Sequence, residues 1–340
     1  MSKPKKSILV IRLSAMGDVA MTVPVLNGLC RKYPDIKITV LTRAFFAPFF
    51  RDLPNVTVFS ADVKGKHKGT FGLYKLAREL NKANKFYAIA DLHNVLRSQI
   101  LRKLINSKRL VSIDKGRKEK KALVSGSIFK QLKTTHERYA DVFKVLGFPV
   151  DLSNPVFPNK SDLSKKLQTL LGLDSKKMIG IAPFAAHEGK MYPVDLMREV
   201  IASLSKDYKI ILFGGGQKEI DILNNFENDF NNVINIAGKL SIDEELDVIS
   251  NLDVMLSMDS GNAHMAAMLG VKTITIWGVT HPYAGFAPFN QPDEYALLAD
   301  RNQFPKIPTS VYGNKYPENY REASRSISPK SIVDKIKAIL

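Results

Sequence analysis

Short apolar runs alternate with longer amphipathic segments along the chain, and this alternation constrains the fold more than any other feature. Runs such as 8–12, 36–42 and 178–182 have the length and composition of buried strands. Segments such as 72–83 and 134–146 carry apolar residues at helical spacing. Because repeated strand–helix units form parallel sheets with helices on both faces, the sequence predicts an α/β fold of doubly wound sheets.

The chain length of 340 residues suits two domains of roughly 150 residues better than one core. A stretch rich in Pro, Asn, Asp and Ser at 149–160 interrupts the periodicity and is typical of a linker. We therefore predict an N-terminal domain over 1–155 and a C-terminal domain over 161–327. A final amphipathic helix is expected over 328–340, and the stretch 301–328 is predicted to be irregular.

Positive charge dominates the composition, since 50 Lys and Arg against 33 Asp and Glu give a net charge of +17. Such a surface attracts phosphates, anionic lipid or nucleic acid. The apolar run at 7–11 is too short for a signal sequence, and no run is long enough to span a membrane. The lone Cys30 is expected to be a small buried hydrophobe. These features predict a cytoplasmic protein that can contact a membrane surface.

The loop Leu-Ser-Ala-Met-Gly-Asp at 13–18 connects the first predicted strand to a helix expected over 18–33. Ligands of α/β sheets bind at such loops, beyond the carboxyl ends of the strands. The loop has no G-x-G-x-x-G fingerprint and is not a P-loop, which disfavours an NAD-dependent oxidoreductase. Asp18 at the junction can cap the helix, take a proton from an attacking hydroxyl, or do both.

A second loop, Met-Asp-Ser-Gly at 258–261, also leads from a predicted strand into a helix. The small residues let backbone approach a ligand, and the helix N-terminus suits a diphosphate. An ordinary capped helix is the alternative. Asp259 can orient backbone amides or accept a sugar hydroxyl, and His264, one turn on, is a structural or a ligand-binding residue. The turn Gly-Val-Thr at 278–280 can also line a cleft.

Two further loops carry single charged residues. Small residues at 182–189 precede Lys190, which either clamps a leaving phosphate or is simply solvated. Three glycines at 214–216 precede Glu219, which either holds ribose hydroxyls or favours the helix N-terminus. The sequence has no H-x-x-x-H, C-x-x-C or D-x-D pattern, so we expect a site without metal and a protein without cofactor.

A basic tract runs from 97 to 121, followed by apolar residues at 123–129. Such a tract is a solvated face, a contact with membrane headgroups, or a surface for a phosphorylated acceptor. Nucleic acid is disfavoured because no recognised nucleic-acid-binding motif accompanies the charge. The candidate contact residues are Arg97, Arg117, Lys118, Lys120 and Lys121.

In combination, the loops resemble those of the ADP-heptose:lipopolysaccharide heptosyltransferases, glycosyltransferase family 9. Three matches carry the resemblance: residues 11–19 with 22–26, the loop that ends at Lys190, and residues 259–264 with 275–278. The resemblance covers most of the chain. It implies the GT-B architecture, in which an acceptor-binding and a donor-binding Rossmann-like domain face a central cleft.

The resemblance also implies roles for the matched residues. Asp18 would be the general base that deprotonates the acceptor hydroxyl, and Lys190 would stabilise the leaving diphosphate. The acceptor would attack directly, with inversion and without metal or a covalent intermediate. Glu219 would hold the ribose, and the backbone of the Lys239–Leu240 loop would contact adenine. The implied donor-binding set is Gly17, Glu219, Lys239, Leu240, Asp259, Ser260, Gly261 and His264.

The implied partners are ADP-heptose or a related nucleotide sugar, a lipopolysaccharide core or lipid A precursor, and the inner-membrane surface. A GT-B transferase that uses a UDP- or GDP-sugar is an alternative, as is a non-catalytic basic protein that binds nucleotide or nucleic acid. The sequence departs from the family at 91–94, where Asp-Leu-His-Asn replaces a more usual Gln-Gly, and at 301–314. We expect both departures to lie toward the acceptor.

Overall fold

The computed structural model describes residues 6–172 and 174–340, so the first five residues of the predicted N-terminal domain lie outside it. The described chain forms two compact units. The first contains the residues up to Lys115 together with Thr135–Val156, and the second contains Gly116–Thr134 together with Phe157–Leu340.

The chain therefore crosses between the units more often than the predicted boundaries allow. The segment Gly116–Thr134, which the predicted boundary at 155 places in the first domain, belongs to the second unit. Leu123 and Leu132 form a small buried cluster with Ala284, and the Leu132 amide donates to the Tyr283 carbonyl at 2.9 Å. Burial of these leucines against a distant part of the chain explains the difference from the prediction.

Strands and helices alternate along most of the described chain, as expected for an α/β fold. The strands are β1 (Ser7–Ile11), β2 (Lys37–Thr42), β3 (Val56–Ser60), β4 (Phe86–Asp91), β5 (Ser107–Ser112), β6 (Met178–Ala182), β7 (Lys209–Leu212), β8 (Val233–Asn235), β9 (Val254–Met258), β10 (Thr273–Trp277) and β11 (Ala296–Leu298). The helices are α1 (Met16–Ala20), α2 (Thr22–Lys32), α3 (Gly69–Ala83), α4 (Leu96–Leu104), α5 (Arg117–Val124), α6 (Thr135–Val145), α7 (Lys165–Leu171), α8 (Val194–Leu204), α9 (Gln217–Asp229), α10 (Ile242–Ser250), α11 (Gly261–Met268) and α12 (Pro329–Ile339).

The sheet of the first unit is parallel, with the strand order β3-β2-β1-β4-β5. Residues 8–11 of the central strand β1 are fully buried, which is why this run is continuously apolar. Ile11 at the end of β1 lies in register with Asp91 at the end of β4. The loops that follow these two strands, 12–15 and 92–95, therefore begin side by side.

The sheet of the second unit is also parallel, with the strand order β11-β10-β9-β6-β7-β8. One core of this unit lies under α8 and α12, where Val200, Ile332 and Ile336 are buried. The predicted C-terminal helix thus packs as part of this unit. Strands β6, β9 and β10 are neighbours, so the loops beyond their carboxyl ends start at one edge of the sheet.

The first predicted helix differs from the structure in its start and its continuity. It is two helices, α1 and α2, separated at Met21, where the buried Thr22 hydroxyl donates to the Val19 carbonyl at 2.7 Å. Because α1 begins at Met16, Asp18 lies within its first turn. Within residues 6–172 and 174–340, no helix has the length and hydropathy needed to cross a membrane.

Candidate active site

Asp18 lies in the first unit, held by the residues of the loop that precedes it. Its Oδ2 atom is 2.5 Å from Nη2 of Arg12 and accepts the Ala15 amide at 3.2 Å. The side chain of Arg12 is 7% exposed, whereas that of Asp18 is 27% exposed. Asp18 therefore satisfies a helix-terminal amide and also presents an oriented carboxylate to solvent, so both predicted roles are geometrically compatible.

Arg12 links the two neighbouring loops of this unit. Its Nη2 atom pairs with Asp18, while its Nη1 atom donates to the Leu92 carbonyl at 2.8 Å. On the other side of α1, the Tyr139 hydroxyl donates to the Asp18 carbonyl oxygen at 3.2 Å. The Asp18 side chain is thus held by Arg12, which the loop after β4 holds in turn, while Tyr139 of α6 holds the Asp18 backbone.

Asp91, the first residue of the unusual stretch at 91–94, has a structural role. Its fully buried carboxylate accepts the amides of His93 and Asn94 at 3.0 and 2.8 Å. It also accepts the Ser98 hydroxyl at 3.1 Å, and Arg102 lies 3.4 Å away. These partners compensate the buried charge, so Asp91 shapes the loop before α4.

His93 is a residue whose position the sequence did not reveal. Its Nδ1 atom accepts the Leu13 amide at 3.4 Å, so the imidazole joins the loop after β4 to the loop after β1. Burial, followed by the positive charges of Arg12 and Lys115, lowers the pKa of His93 to about 4, although Asp18 acts in the opposite direction. The ring is therefore neutral at pH 7 and can accept this hydrogen bond.

In the second unit, Lys190 and Asp259 form an ion pair at the carboxyl edge of the sheet. Lys190 Nζ lies 2.8 Å from Asp259 Oδ2, and the Thr280 hydroxyl donates to the same oxygen at 2.9 Å. The three residues follow β6, β9 and β10. Asp259 therefore orients a lysine and a hydroxyl, and its predicted contacts with backbone amides or a sugar hydroxyl stay predictions.

The loop that follows β6 and ends at Lys190, residues 183–190, is called the lysine loop. Glycines on two sides fix its position. A Cβ atom added at Gly278 would meet the Gly189 carbonyl oxygen, and one added at Gly313 would meet the Lys190 side chain. The Val279 amide donates to that same Gly189 oxygen at 2.8 Å. The unusual stretch 301–314 thus contacts the lysine loop, and its close approach needs a residue without a side chain at Gly313.

Helix α11 begins next to this ion pair. Ser260 is its N-cap residue, and the Ser260 hydroxyl lies 3.0 Å from the Ser257 hydroxyl. Gly261 is the first helical residue, and His264 is buried on the following turn. The start of α11 therefore combines helix N-terminal amides with a nearby lysine, which is a favourable arrangement for an anion.

The other predicted donor residues lie outside this ion pair, and two of them, Glu219 and Lys239, have partners of their own. Glu219 accepts the Gly215 amide at 2.7 Å, so it stabilises the glycine loop before α9. The ammonium group of Lys239 forms an ion pair with Glu227 at 3.3 Å. Leu240 precedes the capped start of α10. Gly17 lies in the first unit, next to Asp18 in α1.

The predicted basic tract is divided between the two units. Arg97 is exposed on α4 of the first unit. Arg117, Lys118 and Lys121 are exposed on α5 of the second. Lys120 is 7% exposed, and its ammonium lies 3.9 Å from the centre of the Phe286 ring. The prediction of a surface contact is therefore wrong for Lys120, because a cation–π contact buries it.

Several known proteins are similar in sequence over most of their length. A lipopolysaccharide core heptosyltransferase, OpsX, from Haemophilus influenzae is 25% identical over 312 residues, covering 87% of this chain and 86% of that protein. A lipopolysaccharide heptosyltransferase 1 from Campylobacter coli is 27% identical over 299 residues, covering 81% and 85%.

Solved structures share the fold. A family 9 glycosyltransferase from Veillonella parvula aligns with a TM-score of 0.77 and 19% identity, covering 100% of this chain and 98% of that one. The E. coli heptosyltransferase WaaC with ADP aligns with a TM-score of 0.71 and 19% identity, covering 98% and 100%. These similarities confirm the predicted α/β fold with two parallel-sheet domains of the GT-B type.

The sequence model for glycosyltransferase family 9 (heptosyltransferase) matches residues 73–314. The match includes Lys190 and the Asp259 loop, whereas Asp18 lies before it. It confirms the resemblance that the loops suggested. The chain therefore belongs to glycosyltransferase family 9, the heptosyltransferase family, and is a glycosyltransferase.

Proposed function

We propose that this protein transfers a heptose from ADP-heptose to a lipopolysaccharide core or lipid A precursor, with inversion and without a metal ion. The observation that carries the proposal is the position of Lys190 beside the start of α11, where cation and helix amides meet. The names of the relatives, which are lipopolysaccharide heptosyltransferases, support the choice of sugar and acceptor.

The donor diphosphate is proposed to bind at the N-terminus of α11. The amides of Ser260 and Gly261 and the helix dipole favour its negative charge, and Lys190 adds a cation that the diphosphate would share with Asp259. Glu219 is proposed to hold the ribose hydroxyls. Because the Lys239 ammonium group is engaged with Glu227, the Lys239–Leu240 turn is proposed to contact adenine through its backbone.

Asp18 is proposed to be the general base. As the acceptor oxygen attacks the anomeric carbon, its proton passes to the Asp18 carboxylate, and the bond between the anomeric carbon and the diphosphate oxygen breaks. ADP leaves with the bonding electrons, stabilised by Lys190. A single displacement of this kind inverts the anomeric centre, and general base catalysis of this type contributes about 10²–10⁴-fold in rate.

The exposed cations are proposed to attract the acceptor and the inner-membrane surface that carries it. Arg97, Arg117, Lys118 and Lys121 are exposed, and the net charge of +17 strengthens attraction to anionic lipid or acceptor phosphates. Lys120 is excluded from this set because it is buried against Phe286. The proposed location is the cytoplasm, with peripheral membrane contact.

Calorimetric titration of the purified protein with ADP, UDP, GDP and NAD, in the presence of EDTA, tests the donor assignment. The proposal predicts selective ADP binding that EDTA does not weaken. If the protein preferred UDP or GDP, it would still be a family 9 transferase, but its donor would be a UDP- or GDP-sugar instead of ADP-heptose. Binding of no nucleotide, together with salt-sensitive binding of mixed oligonucleotides, would instead favour the non-catalytic alternative.

A further inference from the structure

A cavity of about 630 Å³ lies within the second unit, between residues 123–129 and residues 301–317. Its volume is in the range of small-molecule binding sites. None of the residues proposed above for catalysis or donor binding lines it. Three cationic residues line it, Arg301, Lys306 and Lys315, and no Asp or Glu does.

The positive charge of this cavity is not neutralised by the protein. In the described ranges 6–172 and 174–340, no carboxylate forms an ion pair with Arg301, Lys306 or Lys315. Arg301 is held by neutral groups: its guanidinium lies 3.5 Å from the centre of the Phe129 ring, and its Nε atom donates to the Ile307 carbonyl at 2.9 Å. The cavity therefore favours an anion, and a phosphomonoester carries close to two negative charges at pH 7.

The rest of the cavity wall combines apolar side chains with the hydroxyl-bearing residues Ser125 and Thr309. Val124, Phe129 and Tyr316 contribute hydrocarbon and aromatic surface to the lining. An inorganic phosphate would leave this surface unused, whereas a sugar ring offers C–H groups to apolar walls and hydroxyls to polar ones. The combination of cations and apolar surface thus suits a phosphate attached to a sugar.

The cavity also adjoins the lysine loop. The amide of Thr309, a lining residue, donates to the Val279 carbonyl at 3.0 Å. Tyr316, another lining residue, lies so close to Gly189 that a Cβ atom there would meet its ring. The segment that forms one wall of the cavity therefore also covers the residue next to Lys190.

We propose that this cavity binds a phosphorylated sugar and is a subsite for the acceptor. The phosphorylated sugar is assigned from the charge and walls of the cavity. Its identification with the acceptor rests on the proposed function, because a heptosyltransferase acceptor is a saccharide and the cavity adjoins the loop of the proposed leaving-group lysine.

The test is ligand-observed NMR on the full-length protein saturated with ADP, with glucose 6-phosphate, glucose, inorganic phosphate and glucuronate as separate probes. The cavity variant is Lys306→Gln/Lys315→Gln, and the matched control is Lys160→Gln/Lys165→Gln, two exposed lysines elsewhere in the second unit. We expect glucose 6-phosphate to bind more tightly than the other three probes. The cavity variant should bind it about tenfold more weakly, because charge-assisted hydrogen bonds are lost. The control variant and the ADP affinity should not change.

Several results would overturn the proposal. They are glucose 6-phosphate binding that the cavity variant leaves intact, equal binding of inorganic phosphate or glucuronate, and no binding of any probe. Binding to phosphatidylglycerol vesicles is measured as well. If the cavity variant lost only its binding to these vesicles, the two lysines would be assigned to a lipid headgroup and the proposal would also be overturned. ADP-heptose turnover is measured separately, so a protein that binds the phosphosugar but transfers no heptose would contradict the proposed function and leave the phosphosugar site standing.

Discussion

The ammonium nitrogen of Lys190 lies 2.8 Å from Oδ2 of Asp259, and the Thr280 hydroxyl shares that oxygen. Both charged side chains are mostly buried, 15% and 8% exposed, so each compensates a charge that would otherwise be costly to desolvate. A diphosphate at the start of α11 would share the lysine with Asp259. The aspartate therefore holds the lysine in place, and its own charge must remain paired when the donor binds.

Lys190→Ala should weaken ADP binding by more than the loss of one contact, because it leaves the Asp259 carboxylate buried and unpaired beside the diphosphate. We expect a loss of about tenfold or more. The double variant Lys190→Ala/Asp259→Asn should recover part of that loss. Calorimetric titration of the wild type, both single variants and the double variant with ADP gives the coupling free energy between the two side chains. Purely additive losses would show that the ion pair has no influence on donor binding.

Arg12 is expected to act as a positioning residue for Asp18. Arg12→Lys keeps the charge, but one ammonium cannot contact both Asp18 and the Leu92 carbonyl as the guanidinium does. We expect kcat to fall by about tenfold while KM for ADP-heptose changes little. The exposed Arg31 on α2 offers a control, Arg31→Lys. Equal effects of both substitutions on kcat would reject the positioning role.

His93 should make the first unit sensitive to acid. Its pKa is lowered to about 4, below its value in the unfolded chain. Between these two pKa values the imidazole is protonated in the unfolded state but not in the folded state. Stability is therefore retained above about pH 6.5 and declines as the pH falls toward 4, by a total on the order of 3 kcal/mol.

The variant His93→Gln should remove much of this decline, since a neutral amide can still accept the Leu13 amide. Urea denaturation at pH 7 and pH 5 measures the difference. The control His187→Gln removes an exposed imidazole, and its free energy of unfolding should depend on pH as that of the wild type does. An unchanged pH dependence in His93→Gln would contradict the buried, neutral imidazole.

Gly278→Ala should disturb the lysine loop. The added Cβ atom would meet the Gly189 carbonyl oxygen, so we expect about 1–3 kcal/mol of destabilisation and weaker ADP binding. Gly215 faces open space, and Gly215→Ala should change stability by less than about 0.5 kcal/mol. Thermal unfolding compares the two. A Gly278→Ala protein as stable as wild type would show that the loop has room to move.

The sequence was sufficient to predict the parallel α/β fold and the loops that carry the candidate residues. Runs such as 8–12 and 178–182 show as strands because burial on both faces makes them continuously apolar. Lys190 and Asp259 were assigned to one donor site by the resemblance to the family, because the order of the strands in the sheet cannot be read from the pattern. Their direct ion pair depends on side-chain directions that no pattern encodes.

Other features depend on contacts between residues far apart in the chain. The transfer of residues 116–134 to the second unit rests on Leu123 and Leu132 packing near Ala284, and nothing local distinguishes these leucines. Strand β11 has three residues, too few for a periodic signal. His93 has no distinguishing pattern around it in the sequence. Its contact with Leu13 depends on the register of β1 and β4.

The claim that Asp18 is the base of a heptosyl transfer is tested by measuring ADP release from ADP-heptose in the presence of a heptose-free lipopolysaccharide acceptor. The enzymes compared are wild type, Asp18→Asn and Asp35→Asn, whose side chain is an exposed carboxylate of the first unit. We predict transfer by wild type and Asp35→Asn, and a fall in kcat of about 100-fold or more in Asp18→Asn with unchanged ADP affinity. Full activity of Asp18→Asn would contradict the claim.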